Sequence, residues 1–284
     1  MIQRTAAPRM RLRVRAGTAR QEDALLPAEV PVALSYNGTT QAVMMATPAN
    51  LTDFALGFSL SEGIARPDDI RDIEAVTGED GIDLRIWLKD EAGNRLLARR
   101  RTMTGPVGCG LCGLDSLAEA RRPLDPVPAS PLRLGHHDIA GAMAALTQHQ
   151  PLHDATRAVH AAGFWQQGKG LICVREDVGR HNALDKLIGA LVGAGTVTPG
   201  APVTGAVVLT SRISLDMVQK CAALGAPAIL AVSAPTLAAV EAAEVADITL
   251  VALARSEGFD LYTHPGRISI DAALPPDAEA SDVR

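Results

Sequence analysis

Ala206-Val207-Val208-Leu209-Thr210-Ser211-Arg212-Ile213-Ser214 passes from a short apolar run into hydroxyls grouped around one arginine. Ala206–Thr210 has the length and composition of a buried strand, and Ser214 stands where it can cap a helix running to Leu224. Ala228–Val232 then reads as a second strand. The same alternation extends on both sides. Upstream, Asp138–Thr147 reads as a helix, Ala158–Trp165 and Leu171–Arg175 as buried strands, and His181–Leu191 as a helix. Downstream come a helix over Leu237–Val245 and a strand over Ile248–Ala252, with a polar tail after Leu274. The pattern predicts an open α/β sheet with helices on its faces, a class in which ligands bind beyond the carboxyl ends of strands.

The first half reads differently, as a small α+β unit. Val30–Ser35 and Thr40–Ala46 are β-like and meet at Asn37-Gly38, a pair that tolerates the positive φ angles of a tight hairpin. Asn50 can cap a helix through about Glu62, with Gly63 as its stop. Ile70–Val76, Ile82–Leu88 and Arg95–Ala98 read as strands, the last two joined by a turn at Asp90–Asn94. A glycine-rich loop with two cysteines follows, then a short helix near Leu114–Arg121. From Arg122 to Pro131 there are four prolines in ten residues, which neither a helix nor a central strand tolerates. The expected boundary therefore separates an N-terminal domain, residues 1–122, from a C-terminal domain, residues 132–284.

A chain of 284 residues has room for two such domains. Its 47% hydrophobic content and slightly positive mean hydropathy supply a core. Aromatics make up only 3%, so that core is built from Ala, Val, Leu and Ile, and a base-stacking surface is not expected. A net charge of −5 gives no basic field for nucleic acid. Positive charge is local: Arg4, Arg9, Arg11, Arg13, Arg15 and Arg20, then Arg99, Arg100 and Arg101. The period-two alternation of Arg9–Arg15 suits an edge strand with one wet face. Neither a secretory signal nor an apolar run of membrane-spanning length is visible, so a soluble cytoplasmic protein is expected.

In that reducing setting Cys109-Gly110-Leu111-Cys112 implies reactive or metal-binding thiols rather than a structural disulfide. Gly108, Gly110 and Gly113 leave the sulfurs unshielded, and Arg99–Arg101 lie close enough in sequence to favour a thiolate. A structural zinc site needs four ligands, and the other cysteines, Cys173 and Cys221, stand alone in apolar segments that suit core packing. A thioredoxin-like pair begins a helix after a strand, whereas this pair sits among glycines after a β-rich segment.

Three junctions of the second half suit an anionic ligand. In Arg175-Glu176-Asp177-Val178-Gly179-Arg180-His181-Asn182-Ala183-Leu184-Asp185-Lys186, Gly179 permits a turn that sets Arg180 and His181 at a helix N-terminus. Asp177 and Asn182 also suit capping, and Asp185 and Lys186 a solvated surface. Ser211, Arg212 and Ser214 repeat the logic after Ala206–Thr210. Leu253-Ala254-Arg255-Ser256-Glu257-Gly258, after the last strand, could form one wall of a nucleotide pocket. His160-Ala161-Ala162 invites comparison with zinc deaminases, whose signature is His-x-Glu. Ala162 occupies the place of the glutamate, so deamination is not expected.

Gly108-Cys109-Gly110-Leu111-Cys112-Gly113, the run Glu176–Lys186, and Thr210-Ser211-Arg212-Ile213-Ser214 together resemble the FdhD family of formate dehydrogenase accessory proteins, over roughly residues 30 to 268. The resemblance implies a sulfurtransferase that takes sulfur from a cysteine desulfurase as a persulfide. It implies delivery to the molybdenum bis(molybdopterin guanine dinucleotide) cofactor before insertion into the formate dehydrogenase catalytic subunit. It also implies a three-layer, cytidine-deaminase-like C-terminal domain and a homodimer, with no catalytic metal of its own. Cys109 would carry the persulfide and Cys112 assist. Leu253–Gly258 falls where the family binds the cofactor, although Ser256-Glu257-Gly258 replaces a glycine and basic residue common in relatives. The alternative is a metal-stabilised module that chaperones the cofactor without moving sulfur.

Overall fold

A computed structural model describes residues 4–102 and 124–269. It begins with β1 (Ala6–Arg15) and β2 (Thr18–Pro27), an antiparallel ribbon that turns at Ala16-Gly17, both at positive φ. The alternation is as expected, but the apolar face is wet as well: Met10, Leu12 and Val14 are 69%, 63% and 62% exposed.

β3 (Val30–Tyr36) and β4 (Thr39–Ala46) form the expected hairpin, with Asn37 and Gly38 at φ 49 and 81. α1 (Leu51–Ser61) starts after Asn50, whose side chain makes no capping bond, and Gly63 follows its end at φ 64. β5 (Ile70–Thr77) and β6 (Ile82–Leu88) complete a four-stranded sheet in the order β4-β3-β6-β5, with β3 and β6 parallel. Val32, Leu34, Tyr36, Phe54, Leu84 and Ile86 are the centre of its core.

The next element corrects the reading. Residues Asp90–Thr102 form a helix, α2, where a turn and a strand over Arg95–Ala98 were expected. Asp90 and Glu91 complement the helix N-terminus, and Ala92 and Leu96, one turn apart, both enter the core. Gly93 marks a close approach rather than a turn, since a Cβ there would lie 2.7 Å from the Asn37 amide nitrogen.

The proline-rich stretch from Asp125 to Pro131 has no helix or strand. Val127 is buried there, and its amide donates to the Ala246 carbonyl at 2.9 Å. The chain continues through β7 (Leu134–Gly135), α3 (His136–Gln148), α4 (Pro151–Thr156), β8 (His160–Gln166) and β9 (Gly170–Asp177). It then passes through α5 (Arg180–Gly193), β10 (Gly205–Leu209), α6 (Leu215–Leu224), β11 (Ala228–Ala231) and α7 (Leu237–Val245). β12 (Thr249–Arg255), β13 (Gly258–Thr263) and β14 (Ile268–Ser269) end it, with β14 pairing back to β7.

Six of these strands form one sheet in the order β13-β12-β11-β10-β8-β9. β10, β11 and β12 are parallel, while β8 and β13 run against their neighbours. Residues of α5, α6 and α7 fill one face, and Ile139, Ala142 and Leu146 of α3 fill the other. The three-layer α/β/α architecture is thus as expected. A further strand, β13, lies beyond the expected last one; its Phe259 and Leu261 pack toward the α3 layer while Asp260 stays exposed.

Candidate functional site

The topology brings the three anion-ready junctions to one edge of the large sheet. The carboxyl ends of β9, β10, β11 and β12 point the same way, because β8 runs opposite to both of its neighbours. His160, at the start of β8, pairs with Asp177 at the end of β9, so it lies on this edge too.

Arg180 and His181 open α5, and Ser214 precedes α6. The backbone amides of these two helix starts are ready donors for an anion. Arg180 Nε, His181 Nε2 and Ser214 Oγ are buried without a hydrogen-bond partner among the described residues. His181 Nε2 lies 3.6 Å from Asp216 Oδ2, too far for a hydrogen bond. Burial, with Arg180 and Lys220 adding to it, lowers the His181 pKa to about 4, so the ring is neutral at pH 7. Burial and Arg180 also lower His160, while burial raises Asp216. Buried atoms without partners are costly, and an incoming anion or hydroxyl at this edge would satisfy them. Asp216 escaped the reading, though an acid in the first turn after Ser214 was a visible signal.

The second junction divides. Ser211 is buried, and its hydroxyl donates to the Arg212 carbonyl at 3.0 Å, whereas the Arg212 side chain is exposed. Thr210 Oγ1 accepts from the Ala161 amide at 2.8 Å and belongs to the sheet.

The third junction lies on the same edge but faces the other layer, toward α3. Leu253 has φ 50, and the β12–β13 register shifts between Ala252 and Arg255. A bulge of this kind re-aims the residues after it. Ala254, Arg255 and Ser256 then line a cavity of about 860 Å³ with His137, Met143 and Val232. Glu257 is exposed at the tip of the turn and Gly258 opens β13.

Other motif residues hold the molecule together, and here the reading is corrected. Asp177 is fully buried: one oxygen accepts from the Gly179 amide and Asn182, the other from the Thr47 amide and Lys186. Lys186 Nζ also donates to the Thr47 carbonyl at 2.8 Å, and Asn182 to the Met45 carbonyl at 2.8 Å. Asp185 accepts from Ser61 Oγ at 2.6 Å and from Lys220 at 2.9 Å, and Lys220 reaches Glu62 at 2.7 Å. Arg175 pairs with Asp53 at 2.8 Å. Neither Asp185 nor Lys186 is solvated surface; with Asp177, which also accepts from the Gly179 amide at the start of α5, they join the second half of the chain to α1 and the end of β4. Burial raises the Asp185 pKa to about 6, with Lys220 opposing. Burial would lower Lys220, but Asp185 and Glu62 outweigh it and hold it cationic.

Gly179 has φ −99, so no left-handed turn requires it. A Cβ there would lie 2.8 Å from the Asn182 amide nitrogen, so its value is proximity. The larger omission concerned Gly57 of α1 and Gly189 of α5. A Cβ on Gly57 would overlap the Asp185 carbonyl, and one on Gly189 the Asp53 carbonyl, so the two helices touch backbone to backbone.

Cys109 and Cys112, and the expected helix after them, lie outside the described residues, as do the side chains of Arg99–Arg101. Cys221 is buried in the helical layer, and burial raises its thiol pKa. Cys173 is half-buried on β9, where its sulfur accepts from Arg175 at 3.2 Å and burial raises its pKa.

The site is thus the carboxyl edge of an α/β sheet, with buried polar atoms that have no partner among the described residues on one face and a cavity on the other. The chain belongs to the FdhD/NarQ family, whose model matches residues 27–269. It is 50% identical over 259 residues to the sulfur carrier protein FdhD of Agrobacterium fabrum, covering 91% of this chain and 94% of that one. It is 52% identical over 245 residues to the sulfur carrier protein FdhD of Brucella abortus, covering 86% and 90%. A crystal structure described as a formate dehydrogenase accessory protein, from Desulfotalea psychrophila, superposes with a TM-score of 0.73 at 25% identity, covering 94% of this chain and all of that one. No helix among the described residues is long and apolar enough to cross a membrane.

Proposed function

We propose that this chain is a cytoplasmic sulfur carrier serving formate dehydrogenase, with Cys109 as the carrier thiol. The Cys109 thiolate attacks the outer sulfur of a cysteine desulfurase persulfide, the donor's S–S bond breaks, and the donor's own thiolate leaves. No net oxidation occurs in this exchange. Cys112 assists the later release of the sulfur to the acceptor, the molybdenum bis(molybdopterin guanine dinucleotide) cofactor, which is cargo rather than a resident group. The protein acts as a homodimer.

The observation that carries this reading is the set of partnerless buried atoms on Arg180, His181 and Ser214, placed at two helix starts. A dinucleotide cofactor is polyanionic, and an arginine with free backbone amides is the chemistry that receives diphosphates. Ser211 and Arg212 flank these groups, and Leu253–Gly258 with its cavity supplies a second wall for so large a ligand. Membership of a family whose named relatives are sulfur carriers supports the sulfur step.

Incubation with a desulfurase and cysteine, followed by peptide mass analysis, is expected to place one added sulfur on Cys109. A Cys109→Ala variant is expected to leave formate dehydrogenase folded but inactive. An unlabelled Cys109 overturns the proposal. Stoichiometric metal together with full function in Cys109→Ala would favour the chaperone reading instead.

A further inference from the structure

The β1–β2 ribbon lies before the family match, which begins at the last residue of β2. Five arginines and two acids over Ala6–Pro27 give it a charge of +3, so with −5 for the whole chain the remainder carries −8. β2 rests against α4, but β1 leaves Met10, Leu12 and Val14 exposed, an apolar face that calls for a covering surface.

The far edge of the small sheet offers matching chemistry. Pro67–Asp83 holds seven acids against one arginine. Within it β5 is an edge strand, pairing only with β6 among the described residues. Opposite the buried β6 residues Ile86 and Leu84 stand Ile73 and Ala75 of β5, which fixes the core-facing side. Exposed Asp72 and Glu74 therefore lie on the outer face. β1 has the same two-sided pattern, arginines at 9, 11, 13 and 15 on one face and Met10, Leu12 and Val14 on the other.

We propose that β1 of one copy pairs along the open edge of β5 in a second copy. In that register the arginine face meets Asp72 and Glu74, and the apolar face prolongs the side of β5 that carries Ile70 and Ile73. Charge favours this pairing over the alternatives, even with Glu22 of β2 holding Arg11 and Arg13. Two β1 edges would set arginine against arginine, and two β5 edges acid against acid, and like charges directly opposite are destabilising. Two reciprocal β1–β5 contacts close a two-fold dimer.

This contact gives a surface to the homodimer proposed above and does not depend on the sulfur chemistry. Sedimentation velocity on the full chain tests it. The native protein is expected to dimerise, more weakly as salt rises. Arg9→Glu/Arg11→Glu/Arg13→Glu is expected to weaken dimerisation at least tenfold, and adding Asp72→Arg/Glu74→Arg to restore it. Rescue by the swap separates a lost contact from a misfolded ribbon. A native monomer would overturn both the dimer and this contact. A dimer unchanged by the arginine reversal, or a swap that fails to rescue, overturns the contact alone.

Discussion

Lys186 has a fully buried ammonium whose acidic partner, Asp177, is equally buried. Burial lowers the lysine pKa and Asp177 opposes that shift, so the pair stands only as a unit. Replacing Lys186 with Met leaves Asp177 charged, buried and short of a donor, and should cost about 3–5 kcal/mol in urea unfolding. His181 makes a prediction about pH. Its folded pKa is lowered from 6.5 to about 4, so the folded state binds fewer protons in that window. The stability it contributes is present above pH 6.5 and lost as pH falls toward 4. Asp185 runs the other way: its pKa is raised from 3.8 to about 6, so its contribution is present below 3.8 and lost as pH rises through 6. Removing the histidine alone, in His181→Gln, should therefore shift stability at pH 4 relative to pH 7 by about 3 kcal/mol in favour of the variant. An identical pH profile in both proteins would contradict this. The sequence placed His181 at a helix start correctly but set Asp185 and Lys186 on the surface. Charges on one helical turn look solvated until a partner more than a hundred residues away covers them.

At the scale of elements, local pattern was readable wherever an element's own residues decide its form. The Asn37-Gly38 hairpin and the alternation around β10 and β11 are such cases. It was misleading at Asp90–Thr102, where Gly93 and Asn94 resemble a turn but two core contacts one helical turn apart win. The Gly57–Gly189 crossing was invisible for a different reason: a glycine inside a helix has no local signature of contact with a second backbone. Gly57→Val should force α1 and α5 apart and cost at least ~3 kcal/mol, read as a melting temperature lower by on the order of 10 °C. Gly141 of α3 is the control, since a Cβ there meets nothing within 4 Å. Gly141→Ala should stabilise by about 0.5–1 kcal/mol through helix propensity alone.

For the whole molecule, the sheet edge was the most legible functional feature, because a strand's carboxyl end followed by a helix start is written in consecutive residues. That the β12–β13 turn opens on the other side of the sheet was not legible, since this depends on the bulge at Leu253. If Arg180 holds a diphosphate of the acceptor, Arg180→Ala should weaken binding of GDP, used as a probe, by roughly tenfold in calorimetry, the loss typical of a charge-assisted hydrogen bond. Arg157→Ala, in an exposed i,i+3 pair with Asp154, should leave that affinity unchanged. Equal affinity in the Arg180 variant and the native protein would remove Arg180 from the binding edge.

The polar bonds that tie α1 and β4 to the second half span from 122 to 159 positions along the chain. On the ribosome, then, α1 emerges with Ser61 and Glu62 awaiting Lys220, which is made much later. Such long closures are slow, and a segment that has left the ribosome without its complement exposes surface that invites aggregation. The second half made alone would have to bury Asp177, Asp185 and Lys186 with part of their donors and acceptors missing. Two separately produced halves, residues 1–123 and 124–284, should each stay poorly folded yet assemble into a native-like complex when expressed together.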